Sequence, residues 1–213
     1  MANHKTLLKI SLLTNLVLLI IVISGFIVFK HKILTRIHNL GKCEIVMFGD
    51  SLTAMGKWYK LLNNKNVVNS GTNGHTSSHL RRYVLAKVIQ HKPEMCFVMI
   101  GHNDLHTGVP ISKIASNYSY IVKKLLQNEI EPILQSTLFV NNDYDEILNA
   151  QTDSLNALII EIANKNQVKF MDINSVLSEN KRLIKHYTSD GVHLNDEGYN
   201  LWSNLLNEFI SKK

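Results

Sequence analysis

The sequence predicts a three-layer α/β/α domain preceded by one N-terminal transmembrane helix. Two observations carry the domain. Short apolar runs rich in β-branched residues alternate with helix-length segments from Glu44 onward, and glycine or polar residues gather at the C-terminal end of those runs. That alternation is the pattern of a parallel sheet covered on both faces through right-handed crossovers. A third observation sets the N-terminus apart: Ile10 to Phe29 reads ISLLTNLVLLIIVISGFIVF, with no charged residue.

In chain order, residues 1–9 are a short leading segment and 10–29 have the length of a membrane-spanning helix. The apolar run is longer than a signal-peptide core, and no small-x-small cleavage site follows it. A buried core helix of that length would carry a polar stripe. Residues 30–42 form a basic linker, and the domain covers 43–213. Lys5 and Lys9 precede the span while Lys30, Lys32, Arg36 and Lys42 follow it, which by charge counting leans toward a cytoplasmic domain. A short leader, one span and then a whole domain nevertheless look like an uncleaved export signal, so the expectation is a single-pass membrane protein with its domain outside the cytoplasm.

Within the domain the sequence predicts strands near 44–48, 66–69, 95–100, 132–137 and 168–173. Helices are predicted near 54–62, 77–90, from Pro110 to 128, 144–164 and 195–210. The 213 residues, 45% hydrophobic and 19% charged, suffice for one sizeable core. The formal charge of +6 is scattered rather than gathered in one block, so no nucleic acid partner is expected. Cys43 and Cys96 are the only cysteines, without C-x-x-C or zinc spacing, which excludes a disulfide scaffold but leaves one bridge open. Trp58, Tyr59, Tyr199 and Trp202 fall at helical spacings beside apolar residues and read as core or rim.

Four loop motifs carry the chemistry. Gly49-Asp50-Ser51-Leu52 ends the first strand on a tight turn that presents a serine where open α/β sheets put their ligands. Asn69-Ser-Gly-Thr-Asn-Gly-His-Thr76 leads into a helix, with Gly71 and Gly74 letting backbone N–H groups approach a ligand. Gly101-His102-Asn103-Asp104 carries an uncharged amide donor. Asp190-Gly-Val-His193 spaces a carboxylate to meet one imidazole nitrogen and leave the other free. Each motif alone is ordinary turn or cap chemistry; their joint occurrence, in this order, is not.

At these residues the chain resembles the SGNH hydrolase family, the GDSL esterases and lipases, over about Glu44 to Phe209. The resemblance implies a flavodoxin-like sheet of five parallel strands. It also implies Ser51 as nucleophile, His193 as base and Asp190 as its orienter, with an oxyanion hole from Ser51 N–H, Gly74 N–H and the Asn103 side chain. Gly71 is the rival to Gly74, and His75 stands where many relatives have Asp. Residue chemistry agrees: a serine hydroxyl needs a base, and a tetrahedral oxyanion needs fixed donors. Asp50 and Asp104 suit loop fixing better than catalysis. His75, His79, His102 and His106 lack a metal-binding pattern, and no metal or other cofactor is expected.

The implied activity is hydrolysis of a small acyl ester, acetyl foremost, on carbohydrate or lipid, through an acyl-enzyme. Transfer of the acyl group to a cell-envelope sugar, lysophospholipase or thioesterase action, and a non-catalytic binding role are the alternatives. The stretches 138–145 and 185–189 are expected to rim the pocket.

Overall fold

Ile45, Val46, Met47 and Phe48 are each 2% exposed or less, as a strand must be when it has neighbours on both edges and helices over both faces. This strand, β1 (Ile45–Gly49), sits inside a five-stranded parallel sheet with β2 (Val67–Asn69), β3 (Met95–Met99), β4 (Glu131–Gln135) and β5 (Lys169–Met171), in the order β2-β1-β3-β4-β5. β1 runs in register with β3 from Ile45 opposite Met95 to Gly49 opposite Met99. The computed structural model describes residues 14–15, 18–26, 29–30, 43–142 and 145–211, and the chain divides into two units, Met1–Gly41 and Lys42–Lys213.

Alternation along β1 sends its side chains to two cores. Val46 and Phe48 pack beneath α3 (Ser77–Lys87), α5 (Ile111–Leu126) and α6 (Asp145–Asn166), against Leu80, Tyr118 and Leu155. Ile45 and Met47 face α2 (Trp58–Leu61) and α8 (Asp196–Ser211), where Trp58 and Trp202 meet edge to face with ring centroids 4.7 Å apart. Both indoles are buried because each N–H has an acceptor: Trp58 donates to the Thr53 carbonyl at 2.7 Å and Trp202 to Gln135 Oε1 at 2.8 Å. Tyr199 shares this core, whereas Tyr59 is exposed.

Two expectations need correction. The helix predicted from Ala54 begins on Ser51 as α1 (Ser51–Met55), because Asp50 Oδ1 accepts the Leu52 N–H at 3.1 Å and caps it; it stops where Gly56 turns extended. The stretch 138–140, expected at a pocket rim, is buried. It is tolerated inside because asparagines act as backbone partners: Asn149 bonds both N–H and C=O of Val140, Asn156 both those of Thr137, and Asn174 the N–H of Phe139. Cys43 and Cys96 are buried free thiols, the Cys43 Sγ lying 3.7 Å from the His91 carbonyl.

The helix expected over 10–29 lies partly outside the described residues. Residues 14–15, 18–26 and 29–30 are helical, with Leu18 to Ile23, Phe26 and Phe29 exposed. Among the described residues no helix is long and apolar enough to cross a membrane, so the span is not supported there.

Candidate active site

In an open α/β sheet, ligands collect beyond the C-terminal strand ends where connections leave in opposite directions, here between β1 and β3. Ser51 follows β1 and Asn103 follows β3, on α4 (His102–His106). After β5 the chain forms α7 (Asn174–Leu177), the hairpin β6 (Ser178–Glu179) with β7 (Arg182–Leu183), and a 3-10 turn at Lys185–Tyr187. An isolated bridge between Thr188 and Leu194 then closes a short loop holding Asp190 and His193.

That loop brings together residues 142 positions apart. Ser51 Oγ lies 3.0 Å from His193 Nε2, and His193 Nδ1 lies 2.7 Å from Asp190 Oδ2. Asp190 Oδ1 accepts the backbone N–H groups of His193 (2.7 Å) and Val192 (2.9 Å), which ties the carboxylate to its own loop. Burial raises its pKa, yet the bonds from the His193 ring and these two N–H groups outweigh burial and hold it down at about 2. Asp190 therefore stays ionised beside the imidazole. The arrangement can pass a hydroxyl proton to His193 while Asp190 stabilises the resulting imidazolium.

Four candidate N–H donors lie on the loops that follow β1, β2 and β3. The Ser51 N–H opens α1 and so has no intrahelical acceptor. Gly74 sits at φ +72° with open space around it, and its N–H has no partner among the described residues. Gly71 is different: its N–H is taken by Asn69 Oδ1 at 3.0 Å, and a Cβ there would run into the backbone of Ala54. Gly71 is a packing glycine. Asn103 Nδ2 donates to the His75 carbonyl at 2.9 Å, which uses one of its two amide hydrogens.

The neighbouring carboxyls fix loops, as their sequence positions suggested. Asp104 is fully buried and accepts both the Ser77 N–H (2.8 Å) and the Ser77 hydroxyl (2.6 Å), bolting α4 to the start of α3. Asn117 completes this knot by donating to Ser77 Oγ at 2.9 Å. Ser77, Asn117 and Thr188, whose hydroxyl accepts the Gly191 N–H at 2.9 Å, escaped the sequence reading. A Thr two residues before Asp190 was the available signal for the last. Asp50 is pushed up to about 7, by burial first, against the pull of the Leu52 N–H and His193.

The four loop histidines form two stacks, His75 with His79 and His102 with His106. Burial, then His106 and His193, lower His102 to about 4, with Asp190 pulling the other way. Among the described residues no group of three His, Cys, Asp or Glu could hold a metal ion. A cavity of about 550 Å³ opens between the end of α1 and the start of α8, lined by Met55, Lys57, Leu61, Leu194, Asp196 and Asn200 among others. Ser51, Gly74, Asn103, Asp190 and His193 are not among its lining residues.

Fold and site define the class: a parallel α/β domain with a Ser-His-Asp hydrogen-bonded chain at the C-terminal ends of its strands. The model of the GDSL-like Lipase/Acylhydrolase family matches residues 47–201, and the chain belongs to that family. A GDSL-like lipase from Bacteroides thetaiotaomicron is 25% identical with a TM-score of 0.71, over 79% of this chain and 88% of that one. An acetyl xylan esterase from Geobacillus stearothermophilus, 18% identical, shares the fold with a TM-score of 0.69 over 80% of this chain and 96% of its own. An N-acylneuraminate cytidylyltransferase from Streptococcus agalactiae serotype III is 30% identical over 189 residues. That match covers 87% of this chain but only 43% of the relative, so the chain spans less than half of that protein's length.

Proposed function

We propose that the protein is a serine esterase that removes a small acyl group, acetyl foremost, from a sugar. The observation that carries the reading is the continuous chain Ser51 Oγ, His193 Nε2, His193 Nδ1, Asp190 Oδ2, with links of 3.0 and 2.7 Å. In this mechanism His193 takes the Ser51 proton as Oγ attacks the acyl carbonyl. Ser51 N–H, Gly74 N–H and the second Asn103 amide hydrogen receive the oxyanion. His193 returns the proton to the departing alcohol, and water, activated by the same imidazole, releases the acid from Ser51.

Hydrolysis is favoured over transfer to a second sugar because the Asp190 and His193 side chains are 52% and 33% exposed, so water reaches the base freely. The cytidylyltransferase relative is named for an N-acylneuraminate, which supports an acylated acidic sugar as the alcohol component. The apolar stretch 10–29 supports membrane anchoring, with the domain on the outer side of that membrane.

The test is a panel of acyl esters of increasing chain length, including an O-acetylated N-acylneuraminate, run with and without sugar acceptors. Acetyl esters should turn over fastest, free acid should be the product, and Ser51→Ala should abolish turnover while leaving the circular dichroism spectrum unchanged. Wild-type turnover by Ser51→Ala would remove the serine from the mechanism.

A further inference from the structure

We propose that His75, His79 and Tyr83 form a ring stack that positions the oxyanion donors, making His75 a positioning residue through its backbone carbonyl. This rests on the reading of Asn103 and Gly74 given above. His75 immediately follows Gly74, and its carbonyl accepts the Asn103 amide hydrogen at 2.9 Å, which orients the amide and frees the second hydrogen. Whatever fixes residue 75 therefore fixes two of the three donors at once.

What fixes it is aromatic. The His75 ring lies nearly parallel to His79, at 4.7 Å and 14° between planes, and to Tyr83, at 5.7 Å and 18°. His79 and Tyr83 are one turn apart on the same face of α3, so the helix presents a rigid two-ring platform. His79 is itself held, since its Nδ1 accepts the Thr76 N–H at 3.1 Å and pairs with the Thr76 hydroxyl at 2.8 Å. The buried Nδ1 of His75 has no partner, so the ring is held by its faces and not by hydrogen bonding at that nitrogen. Burial, then His79 and Lys87, lower its pKa, which keeps a neutral ring in the stack.

The experiment uses the full chain in mild detergent and steady-state hydrolysis of a short-chain aryl ester. A donor that remains but is misplaced costs part of its full worth, so His75→Ala should lower kcat about 10-fold with KM nearly unchanged. His75→Phe keeps a ring of the same plane and sacrifices no bond at Nδ1, and should restore most of the loss. Tyr83 is 36% exposed, so Tyr83→Ala tests the same platform with little risk to folding; it should also lower kcat, and Tyr83→Phe should not. Wild-type kcat in both His75→Ala and Tyr83→Ala would overturn the inference, as would His75→Phe being as slow as His75→Ala. Asn103→Ala, run alongside, should lose about 10²- to 10³-fold in kcat. If it loses that and the stack variants lose nothing, only the stack is wrong; if it loses nothing, the oxyanion assignment falls and the stack's role falls with it.

Discussion

Replacing Asp104 should loosen the whole catalytic edge, because one carboxylate holds two loops together. Asp104→Ala strips the Ser77 N–H and hydroxyl of their acceptors in a site where both residues are fully buried. A buried hydrogen bond to a charged group contributes about 1.5–3 kcal/mol, so two lost bonds amount to about 3–6 kcal/mol. Part of this is offset, since burial holds the Asp104 pKa above its ordinary value and removing the carboxyl relieves that cost. A net loss of about 3 kcal/mol, at a urea m-value of about 2 kcal/mol/M, corresponds to a midpoint lowered by about 1.5 M. Asp104→Asn keeps an oxygen for the Ser77 N–H and should lose about half as much. Urea unfolding followed by tryptophan fluorescence reads both, as Trp58 and Trp202 lie in the core. A midpoint for Asp104→Ala within about 0.3 M of wild type would refute the claim that this pair bolts α4 to α3.

Asp50 makes a prediction about pH. Its folded pKa of about 7 lies above the ordinary 3.8, so the folded state holds a proton that the unfolded state gives up, and stability falls as pH rises between these values. At about 1.4 kcal/mol per unit the loss reaches about 4 kcal/mol. Asp50→Asn should therefore gain on wild type from pH 4 to pH 8 in thermal unfolding, and parallel Tm curves would remove the effect. For the placement of the domain, protease added to intact cells should digest it. Protection until the inner membrane is opened would reverse the proposed orientation.

Much of the sheet was legible because buried parallel strands are written as apolar runs, as at Met95–Met99, whereas their order was implied only by the family resemblance. Ser51, Asp190 and His193 were legible as candidates because a serine ends the first apolar run and an Asp-x-x-His stands in the loop before the last helix, and the fold brings the three side chains into one hydrogen-bonded chain. What escaped were polar groups acting on backbone. Asn149, Asn156 and Asn174 internalise a stretch that reads as a surface loop, and nothing in the spacing of three asparagines announces which carbonyls they will meet. The short α4 and the hairpin after β5 are too brief to show a period.

The order of the triad along the chain has a consequence during synthesis. Ser51 follows the first strand of the sheet and His193 lies behind all five, 142 residues later. At roughly 5–20 residues per second, a ribosome needs about 7–28 s between adding Ser51 and adding His193. For that interval the nascent protein carries an ordinary, unactivated serine. On the proposed mechanism, a message truncated anywhere before codon 193 yields a polypeptide that has the serine and lacks its base.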